Sequence, residues 1–253
     1  MIVELKENER IDDLEYKDLK IIQNKEGFCF GIDSILLVDF AKKIKDNTCV
    51  LDLGTGTGII PILLSQKTKL KKAYAVEIQE EVADMAKRSV ELNRLGEKIE
   101  IINDNIKNIQ EYFKNQSIDV IITNPPYKKK NSGIINEEEK KIISRHEITA
   151  SLEDFIKEGS KVLKDKGEFY MVNRPERLVD IVVAMRKYKI EPKLIRMVYS
   201  KVEKSPVLVL VKGIKNANPF LRIEPNLYIY DKNGEYTDEI YKIYNKKRID
   251  RNE

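Results

Sequence analysis

Apolar and polar residues alternate along the chain in blocks that predict strands and helices in turn. Five short apolar runs, rich in β-branched residues, are predicted strands: TCVLDL (48–53), KAYAVE (72–77), IEIIN (99–103), DVIIT (119–123) and GEFYMVN (167–173). Stretches with helical periodicity lie between them, at 59–67, 80–94, 106–114 and 152–163. Such alternation forms right-handed crossover units, so the pattern predicts an α/β fold with a mostly parallel sheet and helices on both faces.

The two ends of the chain follow other patterns. LKIIQ (19–23) and FCFG (28–31) predict a small hairpin, and Asp33 or Ser34 is the predicted cap of the helix that follows it. After a predicted helix near 175–188, KLIRMVYS (193–200) and SPVLVLVK (205–212) predict a pair of closing strands, with an antiparallel strand completing the sheet.

We expect three parts along the chain: 1–47, which closes over the central sheet, the main domain at 48–213, and an extension at 214–253. The extension contains NLYIYDKNGEYTDEI (226–240), which predicts a hairpin turning at Asn233-Gly234. We expect this extension to form a tail or cap and not a second core. The 253 residues are 42% hydrophobic, which is enough for one sizeable core.

Composition narrows the class of protein further. The longest apolar run, VLVLV at 207–211, is far shorter than the roughly 18 residues that span a bilayer, and the first residues turn charged at once, so we expect a cytoplasmic protein. Cys29 and Cys49 lie in strand-like contexts without metal-ligand spacing, so we expect reduced cysteines and no metal site.

The net charge of +4 fits an anionic partner without requiring one. Lysines cluster at 67–72, at 128–130 and, with arginines, at 246–251. Each run alone is as easily a solvated surface.

A glycine-rich loop follows the first strand of the predicted sheet. In LDLGTGTG (51–58), three glycines allow positive φ angles and let a ligand approach the backbone, and the next helix begins with unpaired amides. Ligands of open α/β sheets bind at the carboxyl ends of strands, so this loop is a predicted cofactor site. The glycine motif alone is weak evidence for a cofactor site.

Acidic residues end the next two predicted strands. Glu77 stands where a carboxylate accepts both hydrogen bonds of a ribose diol, although an exposed strand-end carboxylate is the alternative. Asp104 is placed to accept from an adenine amino group, or else to cap the predicted helix after it; the two roles are compatible.

LDLGTGTG, the Glu77 strand end, Asn103-Asp104 and NPPY (124–127) occur in this order on consecutive strands. Together they resemble the class I methyltransferases that use S-adenosyl-L-methionine, a Rossmann-like fold, and NPPY marks members that methylate planar nitrogen. The resemblance covers roughly 20–213. It implies that the loop and the acidic residues contact the cofactor and that FGIDSILL (30–37) closes over it. The implied cofactor contacts are Asp33, Asp52, Gly54, Gly56, Gly58, Glu77, Asp104 and Asn124.

In DVIITNPPYKKK (119–130), the prolines stiffen the loop after a buried strand. An aromatic amine is a poor nucleophile because its lone pair is delocalised. The Asn124 side-chain oxygen and the Pro125 carbonyl are placed to accept its two hydrogens and orient that lone pair. Tyr127 offers a stacking face, typically worth about 1–3 kcal/mol. We therefore predict a catalytic loop: Asn124, Pro125, Pro126 and Tyr127.

The substrate is harder to predict. SRHEITASLEDF (144–155) and LIRMVYSKVEKSPVLVLVKGIK (194–215), with the motifs above, resemble the bacterial methyltransferases of adenine 37 in a valine tRNA. That resemblance implies tRNA as the partner. Five basic residues are predicted substrate contacts, chiefly to phosphates: Lys128, Lys129, Lys130, Arg145 and His146. Packing or capping is the alternative for the single histidine.

Other functions stay open at this point. A guanine methyltransferase of ribosomal RNA and a protein glutamine methyltransferase share NPPY. A nicotinamide-dependent dehydrogenase would use a glycine loop and an acidic residue but leaves NPPY unexplained. An RNA-binding protein that retains the cofactor fold is the non-enzyme alternative. The oligomeric state, monomer or weak dimer, is not determined by the sequence.

Overall fold

The computed structural model describes residues 3–26, 31–127, 150–246 and 248. The strands in these ranges are β1 (Glu9–Asp13), β2 (Lys20–Asn24), β3 (Cys49–Leu53), β4 (Lys72–Glu77), β5 (Ile99–Asn103), β6 (Ile118–Thr123), β7 (Leu163–Asn173), β8 (Ile190–Tyr199), β9 (Pro206–Lys215), β10 (Arg222–Ile223) and β11 (Leu227–Tyr228). The α-helices are α1 (Ile32–Ala41), α2 (Ile59–Lys67), α3 (Glu80–Leu92), α4 (Ile109–Tyr112), α5 (Leu152–Val162), α6 (Leu178–Lys187) and α7 (Asp238–Ile243).

The central sheet has the strand order β10-β8-β9-β7-β6-β3-β4-β5, and β11 also pairs with β8. The five strands from β7 to β5 run parallel, whereas β9 runs antiparallel to both β7 and β8. This confirms the predicted α/β fold with its antiparallel closing strand. Because β3 to β7 are parallel, their carboxyl ends share one edge of the sheet, which we call the carboxyl edge.

The helices cover both faces of this sheet with apolar side chains. On one face, α1 and α2 pack with the N-terminal hairpin and the C-terminal segment around residues such as Leu37 and Ile62. On the other face, α4, α5 and α6 pack around residues such as Ile156 and Met185. No helix in the described part of the chain is both long and apolar enough to cross a membrane.

Most central elements lie where the sequence predicts them, and β4 and β5 match residue for residue. The continuous helix predicted at 106–114 is wrong: the segment is helical only to Tyr112, and a 3-10 turn at Ile106–Asn108 precedes the single turn of α4. The turn starts at Asn105, whose side chain accepts a hydrogen bond from the Lys107 amide. The predicted cap role of Asp104 is therefore wrong too.

The N-terminal hairpin differs from its prediction. Its strand β2 is confirmed, but β2 pairs with β1, a charged segment that the sequence did not single out. The second predicted strand falls largely on 27–30, outside the described residues. The helix α1 begins at Ile32 after Gly31, so neither Asp33 nor Ser34 is its cap. Both are buried in its first turn, where their side chains contact the loop after β6.

The tail does not form the predicted two-stranded hairpin. Gly234 has a φ of +83° in the turn, but the pairing across it is a single bridge between Tyr230 and Tyr236. Before the turn, β11 pairs parallel with β8, and after it the chain forms α7. Apolar residues of both pieces complete the core beside α1, which explains why they leave the hairpin geometry: Leu227, Ile229, Ile240 and Ile243.

Candidate active site

The glycine loop joins β3 to α2 at the carboxyl edge. Gly54, Gly56 and Gly58 have φ angles of +72°, +60° and +89°, so each occupies the region that glycine favours. A Cβ atom on Gly54 would lie 3.0 Å from the Phe155 ring, whereas a Cβ on Gly56 would have no neighbour within 4 Å. The backbone at Gly56 therefore borders open space that a ligand can approach.

Asp52, near the end of β3, and Thr55, in the loop itself, both have buried side chains. Both carboxylate oxygens of Asp52 and the Thr55 hydroxyl are buried and have no hydrogen-bond partner in the described chain. Burial is the main cause that raises the pKa of Asp52 to about 7; the neighbouring Thr55 hydroxyl opposes this rise, and the charge of Glu77 contributes to it. Buried polar groups are rarely left unpaired, so these atoms fit a ligand that brings a cationic donor.

Glu77 ends β4 and is buried beside the loop. Its Oε2 accepts from the Gly56 amide at 3.0 Å, and its Oε1 accepts from the Gln79 amide at 3.0 Å. Oε1 also accepts from the Gln79 side-chain amide at 3.3 Å, which fills both of its lone pairs, whereas Oε2 keeps one lone pair for a ribose hydroxyl while it holds the glycine loop in place.

Asp104 follows β5 and is already well supplied with donors. It accepts from the Asn105 amide, the Asn108 side chain and the Tyr112 hydroxyl at 2.6, 2.9 and 2.8 Å. The Tyr112 hydrogen bond is the main cause that lowers the pKa of Asp104. The carboxylate is therefore fixed in position and negatively charged at neutral pH.

The NPPY loop follows β6 directly. The Asn124 amide nitrogen donates to the Ser34 hydroxyl at 3.2 Å, and the Tyr127 oxygen lies 2.8 Å from the Asn124 side-chain oxygen. The Tyr127 hydroxyl also contacts a carboxylate oxygen of Asp33 at 2.5 Å. Pro125 is buried and Pro126 exposed. The structure thus joins Asp33, a predicted cofactor contact, to the predicted catalytic loop.

The sequence did not predict a functional role for two residues of this site. Ser34 was considered only as a helix cap. Arg174, directly after β7, places its guanidinium carbon 5.1 Å from the centre of the Tyr127 ring and donates to the Val207 carbonyl at 3.2 Å. Its position immediately after a predicted strand of the parallel sheet was the signal available for it.

The predicted substrate contacts Lys128, Lys129, Lys130, Arg145 and His146 lie outside the described residues. Within the described ranges, no group of three or more His, Cys, Asp or Glu side chains is arranged to hold a metal ion.

The parallel sheet and its glycine loop form the Rossmann-like fold of methyltransferases that use S-adenosyl-L-methionine. The family model of the methyltransferase small domain matches residues 30–187, and the chain belongs to this family.

Named relatives and solved structures agree with this class. A tRNA1(Val) (adenine(37)-N6)-methyltransferase of Porphyromonas gingivalis is 25% identical over 92% of this chain and 93% of its own. A protein of the same name from Histophilus somni is 29% identical over 88% of this chain and 92% of its own. A predicted O-methyltransferase of Agrobacterium tumefaciens superposes with a TM-score of 0.66 at 20% identity, over 84% of this chain and 95% of its own. TYW2 of M. jannaschii, solved in complex with AdoMet, superposes with a TM-score of 0.59 at 17% sequence identity, over 85% of this chain and 89% of its own.

Proposed function

We propose that the protein transfers a methyl group from S-adenosyl-L-methionine to the exocyclic amino group of an adenine in tRNA, namely adenine 37 of a valine tRNA. The relatives named for this reaction match almost the full length of the chain, which supports the substrate. A tRNA substrate also supports a cytoplasmic location.

The observation that carries the proposal is the position of Asn124. It follows β6, and the last residue of β6, Thr123, pairs with Leu53 of β3, the residue before the glycine loop. The Thr123 hydroxyl donates to the Leu53 carbonyl at 2.7 Å, which ties the two strand ends together. An amine held by Asn124 is therefore close to whatever the glycine loop binds.

The geometry at the same edge supports the proposed cofactor contacts. Asp52 is suited to the cationic amino group of the cofactor, Glu77 to its ribose, and Asp104 to its adenine. The glycines at 54, 56 and 58 supply the close backbone approach, and Asn124 borders this pocket. S-adenosyl-L-methionine, when bound, supplies an electrophilic methyl group.

The chain's own contribution to the reaction is to orient the amine. The Asn124 oxygen and the Pro125 carbonyl accept the two amino hydrogens, so that the nitrogen lone pair points towards the methyl group. A new nitrogen–carbon bond forms as the sulfur–carbon bond breaks. The nitrogen becomes acidic only after it is methylated, so it then loses its extra proton to solvent and no strong base is needed.

The base and the RNA backbone are held by neighbouring groups. Tyr127 is the proposed stacking partner of the base, and Arg174 lies over its ring. Arg174 is exposed and positively charged beside this ring, which makes it a phosphate contact together with the basic residues at 128–130 and Arg145 and His146. We also propose that 1–47 and 214–253 act as appendages of the domain at 48–213.

The test is transfer of a labelled methyl group to total tRNA and, separately, to ribosomal RNA, followed by nucleoside analysis. N6-methyladenosine in tRNA, lost when the valine tRNA is removed by hybridisation, is the expected product. A methylated guanine in ribosomal RNA, or label in protein instead of RNA, would overturn the proposed substrate.

A further inference from the structure

The Tyr127 hydroxyl has one proton and two acceptors. Asp33 Oδ2 lies 2.5 Å from the Tyr127 oxygen, and Asn124 Oδ1 lies 2.8 Å from it. Burial and the charge of Asp33 both raise the pKa of Tyr127, so the phenol keeps its proton at neutral pH. Only one of the two neighbours can be the main recipient of that proton.

The carboxylate is the stronger acceptor of the two. It is closer, and a hydrogen bond to an ionised oxygen is about twice as strong as one to a neutral oxygen. The other carboxylate oxygen, Oδ1, accepts from the Ser34 amide at 3.0 Å, which fixes the side chain in this orientation. The Tyr127 proton is therefore donated chiefly to Asp33 and shared only weakly with the Asn124 oxygen.

Asn124 is held at its opposite end. Its amide nitrogen donates to the Ser34 hydroxyl at 3.2 Å, so the amide oxygen is the atom turned towards Tyr127. With the phenol proton drawn to Asp33, this oxygen keeps its lone pairs for an incoming donor. A target amine is such a donor.

We propose that Asp33 is a positioning residue that takes the Tyr127 proton and so keeps the Asn124 oxygen free to accept from the target amine. This inference rests on the proposed amino-methyl transfer. It gives Asp33 a role in the orientation of the catalytic loop.

Asp33→Asn reverses the hydrogen bonds. The Ser34 amide can only donate, so the new side-chain oxygen takes that bond and the new NH2 group faces Tyr127. The Tyr127 proton then goes to the Asn124 oxygen, where it occupies one of the two lone pairs and competes with the target amine. We expect kcat at saturating cofactor to fall roughly ten- to hundredfold, less than the roughly 10²–10³ for loss of a contact to the reacting group itself, while the Kd for S-adenosylhomocysteine stays within a few fold.

A double-mutant cycle with Tyr127→Phe separates this relay from a purely structural effect. Without the phenol proton nothing competes with the target amine for the Asn124 oxygen, so Asp33→Asn should lower kcat only slightly in the Tyr127→Phe background, although it lowers kcat strongly in the natural one. Asp39→Asn on the same helix, where Asp39 pairs with Lys42 at 2.9 Å, is the matched control and should leave kcat unchanged.

The possible results separate the two proposals. If the unaltered protein does not methylate tRNA, the proposed function fails. If it does, additive effects of the two substitutions overturn the role of Asp33. So does an Asp33→Asn variant with normal kcat. A loss of S-adenosylhomocysteine affinity with kcat unchanged would instead assign Asp33 to the cofactor.

Discussion

The two halves of the carboxyl edge satisfy their polar groups in opposite ways. Under the glycine loop, Asp52 and Thr55 are buried with no hydrogen-bond partner in the described chain. Around the NPPY loop, Asp33, Ser34, Asn124 and Tyr127 form a closed set of hydrogen bonds. The first half is incomplete until a ligand binds, whereas the second must exchange internal bonds for bonds to its substrate.

This difference indicates which kinetic constant each half should control. A contact made equally in the ground and transition states affects KM, whereas an orienting contact made chiefly in the transition state affects kcat. Substitutions in the glycine-loop half should therefore change cofactor affinity, and substitutions in the NPPY half should change turnover.

Asn124→Ala is the strongest test of the NPPY half. It removes the amine acceptor and should lower kcat by roughly 10²–10³, while cofactor Kd, measured by calorimetry, changes only a few fold. Asn115→Ala, just before β6 at the opposite end of the same strand, is the control and should be silent. Normal turnover in a folded Asn124→Ala variant would remove this residue from the mechanism.

Glu77→Ala tests the glycine-loop half. Loss of a charge-assisted hydrogen bond typically costs about 1.5–3 kcal/mol, so we expect the KM for the cofactor to rise roughly ten- to hundredfold. Turnover at saturating cofactor should change less. Glu100→Ala on the neighbouring strand, where Glu100 lies 3.7 Å from Lys72, controls for loss of a surface carboxylate. An effect confined to saturated turnover would contradict the ribose role.

Sequence predicted the glycine-loop half better than the NPPY half for a physical reason. Asp52, Glu77 and Asp104 lie at or directly after the carboxyl ends of parallel strands, and that position alone brings them to one edge. The bond between Asp33 and Tyr127 joins residues that are 94 positions apart, and no local pattern predicts it. Spacing along α1 placed Asp33 and Ser34 only as helix caps.

The strand β1 shows another limit of sequence patterns. Its sequence ERIDD is charged and does not resemble a strand, yet it pairs with β2 along its whole length. Glu9 is buried there because Arg88 of α3 donates to both of its carboxylate oxygens, at 2.7 and 2.6 Å. A buried charge is tolerated when it is paired, and the partner lies on a helix far along the chain.

The pH dependence of cofactor binding sharpens the comparison further. Asp52 has a pKa of about 7 in the free protein, so it is largely protonated below that pH, while a cationic ligand favours the carboxylate. Affinity for S-adenosylhomocysteine should therefore rise by up to about tenfold per pH unit as the pH increases towards 7, because binding releases a proton. Calorimetry in buffers of different ionisation enthalpy measures that proton.

Asp52→Asn should bind more weakly and lose this pH dependence. The raised pKa also has a consequence for the free protein: the protonated carboxyl stabilises the fold at low pH, and this contribution is lost as the pH rises from about 4 through about 7. The stability of the variant should show a flatter profile in this window. An unchanged pH profile of binding would exclude Asp52 as the group that meets the cofactor's charge.

The smallest expected effect concerns Arg174, at the outer rim of the NPPY half. If it contacts a phosphate, Arg174→Gln should weaken tRNA binding and reduce the slope of log affinity against log salt by roughly 0.7–0.9. Arg177→Gln is a matched control, because Arg177 already pairs with Asp180 at 2.7 Å and should leave the slope unchanged. Choice among tRNAs should survive in both variants, since phosphate contacts carry no base information. An unchanged slope for Arg174→Gln would limit Arg174 to packing on Tyr127, and the lysines at 128–130 would become the next variants to measure.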